Sequence, residues 1–186
     1  KWIQYRLYLT SSGSSTPVFS DITITYVVNE APGVDFTYGT NGITVATQAT
    51  DGTFAISYKP RDIDATSGSG VVTPSFEYST NAGGSWTTIT GGLSSGATTT
   101  KNVDESSYGD PDNSFAAYSV TWDPNINTNE TYTTQAQIRL TLDDGQAANN
   151  STTTTSAQFT LDTKAPTLGA TALLVKATTT PATIAL

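Results

Sequence analysis

Through the middle of this chain, the large apolar residues recur at every second position. FAISY places Phe54, Ile56 and Tyr58 on one side. YSVTW does the same with Tyr118, Val120 and Trp122, and AQIRLTL with Ala136, Ile138, Leu140 and Leu142. Phe76 with Tyr78, and Phe159 with Leu161, continue the pattern. A period of two is the repeat of a strand with one buried face. Stretches rich in Leu, Glu and Lys at helical spacing are absent. The expected fold class is therefore all-β.

Turn chemistry cuts the alternation into pieces. Strands are expected over Ile43–Gln48, Thr53–Lys59, Val71–Ser79, Trp86–Thr90, Phe115–Trp122, Thr133–Leu142 and Thr154–Leu161. Between them lie TDGT, SGSG, NAGG, YGDPDN, DPNIN and DDGQ, all Gly, Pro, Asn and Asp clusters that favour turns. Short strands at this spacing point to two packed antiparallel sheets. The apolar rows named above are the expected core. The stretches 67–70 and 91–101 are expected to be exposed loops.

The chain divides into three on this reading. Residues 1–28 hold two strand candidates, Trp2–Thr10 and Asp21–Val28, the end of a preceding module or a donor segment. NEAPG (29–33) is a linker, and residues 29–165 form the sandwich. Residues 166–186 are a linker and the first strand of a following module, or a tail that donates or accepts a strand. Because the sequence does not begin with Met, it is expected to be a processed or excerpted part of a longer protein.

Several function classes are disfavoured by what the chain lacks. With no Cys there is no disulfide framework and no thiolate metal site. With no His, the commonest general base and transition-metal ligand is missing. A net charge of −8 and a pI near 4.2 oppose binding to a polyanion, so no nucleic-acid partner is expected. No apolar run approaches the ~20 residues of a membrane helix, and no signal peptide is seen.

The opening stretch KWIQYRLYLT raises the functional question. Ile3, Tyr5, Leu7 and Leu9 alternate with Trp2 and Tyr8, so both faces of this strand are apolar or aromatic. Backbone donors and acceptors in a strand need partners, and natural free edges are usually blunted by charge or Pro. The tail stretch ALLVKATTTPATIAL, with Leu173, Leu174 and Val175, is equally unfinished. Head and tail are expected to be interface segments that pair by strand addition with copies of the chain or with adjacent modules.

At this point the middle of the chain resembles a family. FEYSTNAGGSWTTI, SVTWDP, AQIRLTLDDGQAANNS and FTLDTKAPT, in that order, resemble the immunoglobulin/fibronectin-III-like modules of bacterial (or viral) surface and filament proteins. The likeness spans about Val34 to Thr167. Asn81 stands where the family usually has Asp, and residues 91–113 form a long insertion. The opening 26 residues are similar to the last strand pair of a jelly-roll-like module. The resemblance implies a scaffolding, spacing or adhesive role without catalysis, at the cell surface or outside the cell.

Other constellations have a plainer reading beside the functional one. STNAGGSW (79–86) is similar to the Asp-box of sialidase propellers, but one copy makes a hairpin and not a propeller. Asp62 and Asp64 in one loop, and Asp143 and Asp144 in a turn, could supply oxygens to calcium, which needs six to eight of them. The alternative is that they cap turns through their own backbone. Asp104, Glu105, Asp110, Asp112 and Asp123 are open to the same two readings. Asp110 with Asp112 could be a glycosidase pair, though no aromatic cleft accompanies them. Trp2, Tyr8 and Trp86 could stack on sugar rings. Lys59 is expected to face outward, which disfavours an isopeptide crosslink. The leading expectation is a non-catalytic structural module that assembles head to tail, with no required cofactor and calcium as the one possible ion. A carbohydrate-binding adhesin module, with glycans as partners, is the alternative.

Overall fold

The computed structural model describes residues 6–15, 17–18, 20–23, 29–62, 70–103 and 117–167. Eleven strands occur among them: β1 (Gly33–Val34), β2 (Ile43–Val45), β3 (Phe54–Tyr58), β4 (Pro60–Arg61), β5 (Val71–Ser79), β6 (Thr87–Thr88), β7 (Lys101–Asn102), β8 (Tyr118–Trp122), β9 (Tyr132–Asp143), β10 (Ser151–Thr155) and β11 (Phe159–Asp162). A short 3-10 turn, Pro124–Ile126, is capped by the Asp123 carboxylate, which accepts from Asn125 N at 3.0 Å. Every strand pair is antiparallel. The chain is all-β, as its alternation requires.

One sheet has the order β2-β3-β8. The other runs β10-β9-β5-β6, with β11 beside the first half of β9 and β7 beside the start of β5. β1 and β4 form a separate two-stranded pair. Inward rows from the two sheets interdigitate as in a sandwich. Phe54 of β3 lies 4.9 Å from Phe159 of β11, Tyr58 of β3 lies 5.8 Å from Phe76 of β5, and Tyr78 of β5 lies 5.6 Å from Trp122 of β8, centroid to centroid. Phe54, Ile56, Tyr58, Trp122, Ile138 and Leu140 are wholly excluded from solvent. Burial of each such side chain contributes about 1.5–3 kcal/mol.

β5 holds a proline, which a central strand normally excludes. Its position explains the exception. Val103 N donates to Gly70 O and Ile89 N to Phe76 O, each at 2.9 Å. Even-numbered residues of β5 therefore point their backbone away from β9. On that edge β7 reaches only to Val72 and β6 pairs from Glu77 onward. Pro74 falls in the gap, where an N–H would have no ladder partner among the described residues.

The alternation misplaces several boundaries. Thr154–Leu161 is not one strand but two, because the chain bulges at Ser156. Ser156 N donates to Ile138 O at 2.9 Å, while Ile138 N donates to Ser156 Oγ at 3.0 Å. A buried hydroxyl thus takes the place of a ladder carbonyl, and β11 resumes one step further along β9. Ile43–Gln48 stops as a strand at Val45, where Gln48 takes over with its side chain: Nε2 donates to Asp162 O at 3.0 Å and Asp162 N donates to Oε1 at 3.1 Å. The 91–101 stretch is not a loose exposed loop. Leu93 forms a bridge to Trp122, Ser94 N donates to Thr121 O at 2.8 Å, and Ala97 is buried. Small side chains pack there, and a search for large apolar residues overlooks them.

Glycine is required at one turn for a clear reason. Gly42 has φ +81°, and a Cβ there would sit 2.3 Å from Val34 Cγ2. Beside it Asn41, itself at φ +55°, donates from Nδ2 to Thr155 O at 3.2 Å and accepts from Thr154 Oγ at 2.6 Å through its carbonyl. This turn ties β2 to β10 and covers part of the edge of the second sheet.

Candidate functional site

Of the expected interface residues, Leu7, Tyr8 and Leu9 lie among the described residues. They are 54%, 74% and 53% exposed. Arg6–Thr10 belongs to no strand here, and neither does Asp21–Thr23, where Ile22 is also exposed. A ladder forms only against a partner edge, and these stretches have none among the described residues. Trp2, Ile3, Tyr5, Leu173, Leu174 and Val175 fall outside the described residues, as do Ile24–Val28. Arg6 donates to the Tyr8 hydroxyl at 2.9 Å, a local contact on the exposed segment.

The acidic residues serve their own loops. Asp143 Oδ1 accepts from Gly145 N at 2.7 Å, and Asp144 Oδ1 accepts from Gln146 N at 2.8 Å. The second Asp144 oxygen accepts from Asn29 Nδ2 at 3.0 Å. Asp62 is buried beside β4, far more enclosed than a loop carboxylate reading implies. Asp64, Asp104, Glu105, Asp110 and Asp112 lie outside the described residues. Among the described residues no three His, Cys, Asp or Glu side chains converge as metal ligands.

Asp35 is the other enclosed carboxylate. The Thr37 hydroxyl reaches its Oδ1 at 2.6 Å and the Thr37 amide at 2.9 Å. Lys59 Nζ stands 3.7 Å from Oδ2 and 5.2 Å from the Tyr38 ring centre. Thr37 hydrogen bonding, with help from Lys59, holds the Asp35 carboxyl below its ordinary range despite burial. Lys59 is thus paired with a carboxylate at the margin of the sandwich.

The Asp-box-like stretch is a stapled hairpin. Asn81 Oδ1 accepts from Ser79 Oγ at 2.8 Å and from Ser85 N at 2.9 Å. Ser79 Oγ in turn accepts from Gly83 N at 2.9 Å. Ala82 and Gly83 take positive φ, and the turn delivers Trp86 onto the outer face of β9. There the Arg139 guanidinium lies 4.5 Å from the Trp86 ring, and it donates to Glu77 at 2.6 Å. One face of Trp86 is therefore engaged by the protein itself.

The outer face of the larger sheet carries a shallow groove of about 540 Å³, lined by Val71, Thr73, Ser75, Thr100 and the 143–145 turn. It offers hydroxyl and carboxylate oxygens and a single apolar side chain. Among the described residues no aromatic ring lines it.

No protein-family model matches the chain, and neither curated proteins nor solved structures give a match.

Two residues that the alternation did not single out hold the sandwich to the segments beside it. Asn29 bonds to the turn after β9, and Thr163 to the loop before β9. Their signal in the sequence is a repeat, Asn29-Glu30-Ala31-Pro32 and Thr163-Lys164-Ala165-Pro166.

Proposed function

We propose that the chain is a non-catalytic structural module of an extracellular assembly, of the immunoglobulin/fibronectin-III-like kind. In this reading the segment carrying Trp2, Ile3, Tyr5, Leu7, Tyr8 and Leu9 adds as a strand to a neighbouring copy or module. The tail around Leu173, Leu174 and Val175 docks in the same way. A contact of head on tail is heterologous, so it propagates into an array or filament. Register is fixed because a one-residue slip would exchange the two faces of the strand.

The observation that carries the reading is the exposure of Leu7, Tyr8 and Leu9 beside a core that closes without them. Consecutive large apolar side chains left in water are the mark of a surface awaiting a partner. The use of Asp143, Asp144 and Asn81 in their own turns further supports scaffolding over chemistry. In this account calcium is dispensable.

Carbohydrate binding is the second reading, favoured by the groove over Thr73, Ser75 and Asp143, whose size falls in the range of ligand sites. The absence of an aromatic platform in its lining, and the engagement of Trp86 by Arg139, rank it below assembly.

Sedimentation of the full chain and of a chain lacking residues 1–10 tests the proposal. The full chain is expected to form larger species as concentration rises. The shortened chain is expected to stay monomeric with the same melting temperature. Equal assembly of the two chains would remove the strand-addition reading.

A further inference from the structure

The chain reaches and leaves the sandwich at opposite ends of β9, and Asn29 and Thr163 take part in holding the two crossings. At the incoming pole the two Asn29 Nδ2 hydrogens are shared among Asp144 Oδ2 at 3.0 Å, Ala148 O at 2.9 Å and Asn149 O at 3.1 Å. Asn149 Nδ2 returns a bond to Asn29 O at 2.9 Å. All these partners follow Asp143, the last residue of β9. At the outgoing pole Thr163 N donates to Thr131 O at 2.8 Å, and Thr131 N donates to Thr163 Oγ at 3.0 Å. That hydroxyl also donates to the Thr128 carbonyl. These partners precede Tyr132, the first residue of β9. The length of β9 separates the two crossings, about 40 Å at the rise of a β-strand.

An Ala-Pro pair follows the held residue at both crossings. Asn29-Glu30-Ala31-Pro32 and Thr163-Lys164-Ala165-Pro166 each place the held residue three positions before a proline, with a charged residue and an alanine between. Proline fixes its own φ and pushes the preceding residue to extended backbone. Little slack follows the held position at either pole.

We infer that this position is a two-sided joint. Asn29 shows its grip on the sandwich that follows the linker, and Thr163 its grip on the sandwich that precedes it. A linker held on both sides leaves no free hinge, so successive units stand end to end in a stiff column that advances about 40 Å per unit. The neighbour in this picture comes from the reading of the chain as a structural module. The two grips stand on their own geometry.

Backbone ¹⁵N relaxation on the full chain tests the joint. Asn29–Ala31 and Lys164 are expected to show order parameters near ~0.85, the value of rigid backbone. Asn29→Ala should drop residues 29–31 below about 0.6, and Thr163→Val should do the same at Lys164. Asn149→Asp is the second variant, since Asp tolerates the φ of +52° at that position but lacks the donor amide. It should loosen residues 29–31 with the sandwich amides undisturbed. Low order parameters in the parent chain, or no change in both Asn29→Ala and Asn149→Asp, would overturn the joint. Neither result touches strand addition. A chain that is rigid at both crossings yet never assembles would remove the neighbour, and with it the column, and leave only the two grips.

Discussion

The indole N–H of Trp122 donates to Asn127 Oδ1 at 2.9 Å, which fastens the last residue of β8 to the turn that follows it. The same ring stands 5.9 Å from Phe54 and 5.6 Å from Tyr78, so Trp122 joins both sheets and one loop. Trp122→Ala should cost about 3–5 kcal/mol through the cavity and lost burial. Trp122→Phe should cost less, with about 1 kcal/mol from the bond to Asn127. Denaturant unfolding of the two variants checks the ranking. An unchanged midpoint for the alanine variant would contradict this placement of the indole.

Tyr58 presents the opposite case. Its ring is fully enclosed, packed on Phe76 and Tyr118, while its hydroxyl is buried without a hydrogen-bond partner among the described residues. Burial raises the phenol pKa well above its ordinary value. An unsatisfied buried hydroxyl costs about 1–3 kcal/mol. Tyr58→Phe is expected to keep the ring contacts, remove that cost and raise the melting temperature. A variant less stable than the parent would mean that the hydroxyl has a partner.

Asp35 gives the fold an acid limit. Its carboxyl is held below the ordinary 3.8 by Thr37, with Lys59 assisting. A depressed folded pKa means that the folded state binds the proton less readily than the unfolded chain. The stabilisation is complete above the unfolded value and is lost as pH falls through the folded one. Thermal melts of the parent and Asp35→Asn should differ at neutral pH and converge in strong acid. A constant difference across the whole range would remove Asp35 from the acid response.

The turn after β9 should be indifferent to calcium. The Oδ1 atoms of Asp143 and Asp144 accept from backbone amides, and Asp144 Oδ2 accepts from Asn29. Melting curves in calcium and in chelator are expected to coincide. A calcium-dependent rise that vanishes in Asp143→Asn would place an ion at this turn.

The core was legible because burial and alternation share one cause. A strand with one face inward must be apolar at every second residue, and Phe54–Tyr58, Tyr118–Trp122 and Ala136–Leu142 follow that rule. Side chains that stand in for backbone escape it. Ser156 Oγ replaces a ladder acceptor and the Gln48 amide pairs with Asp162, yet neither residue type marks a strand edge in sequence. Pro60 pairing with Val34 was hidden for a related reason, since two-residue pairs leave no period to read. Asn29 and Thr163 act across more than a hundred residues or across a loop, and only the repeated Ala-Pro beside them hints at a shared role.

Amide hydrogen exchange at Leu7–Thr10, followed against protein concentration, tests the central claim most directly. A strand added to a neighbouring sheet edge buries every second amide in a ladder, and the pairing obeys mass action. Alternate amides in this segment are expected to exchange slowly in concentrated protein and rapidly on dilution, with Ile138 and Leu140 protected throughout. Rapid exchange at every concentration, or protection that does not change on dilution, would contradict pairing between chains.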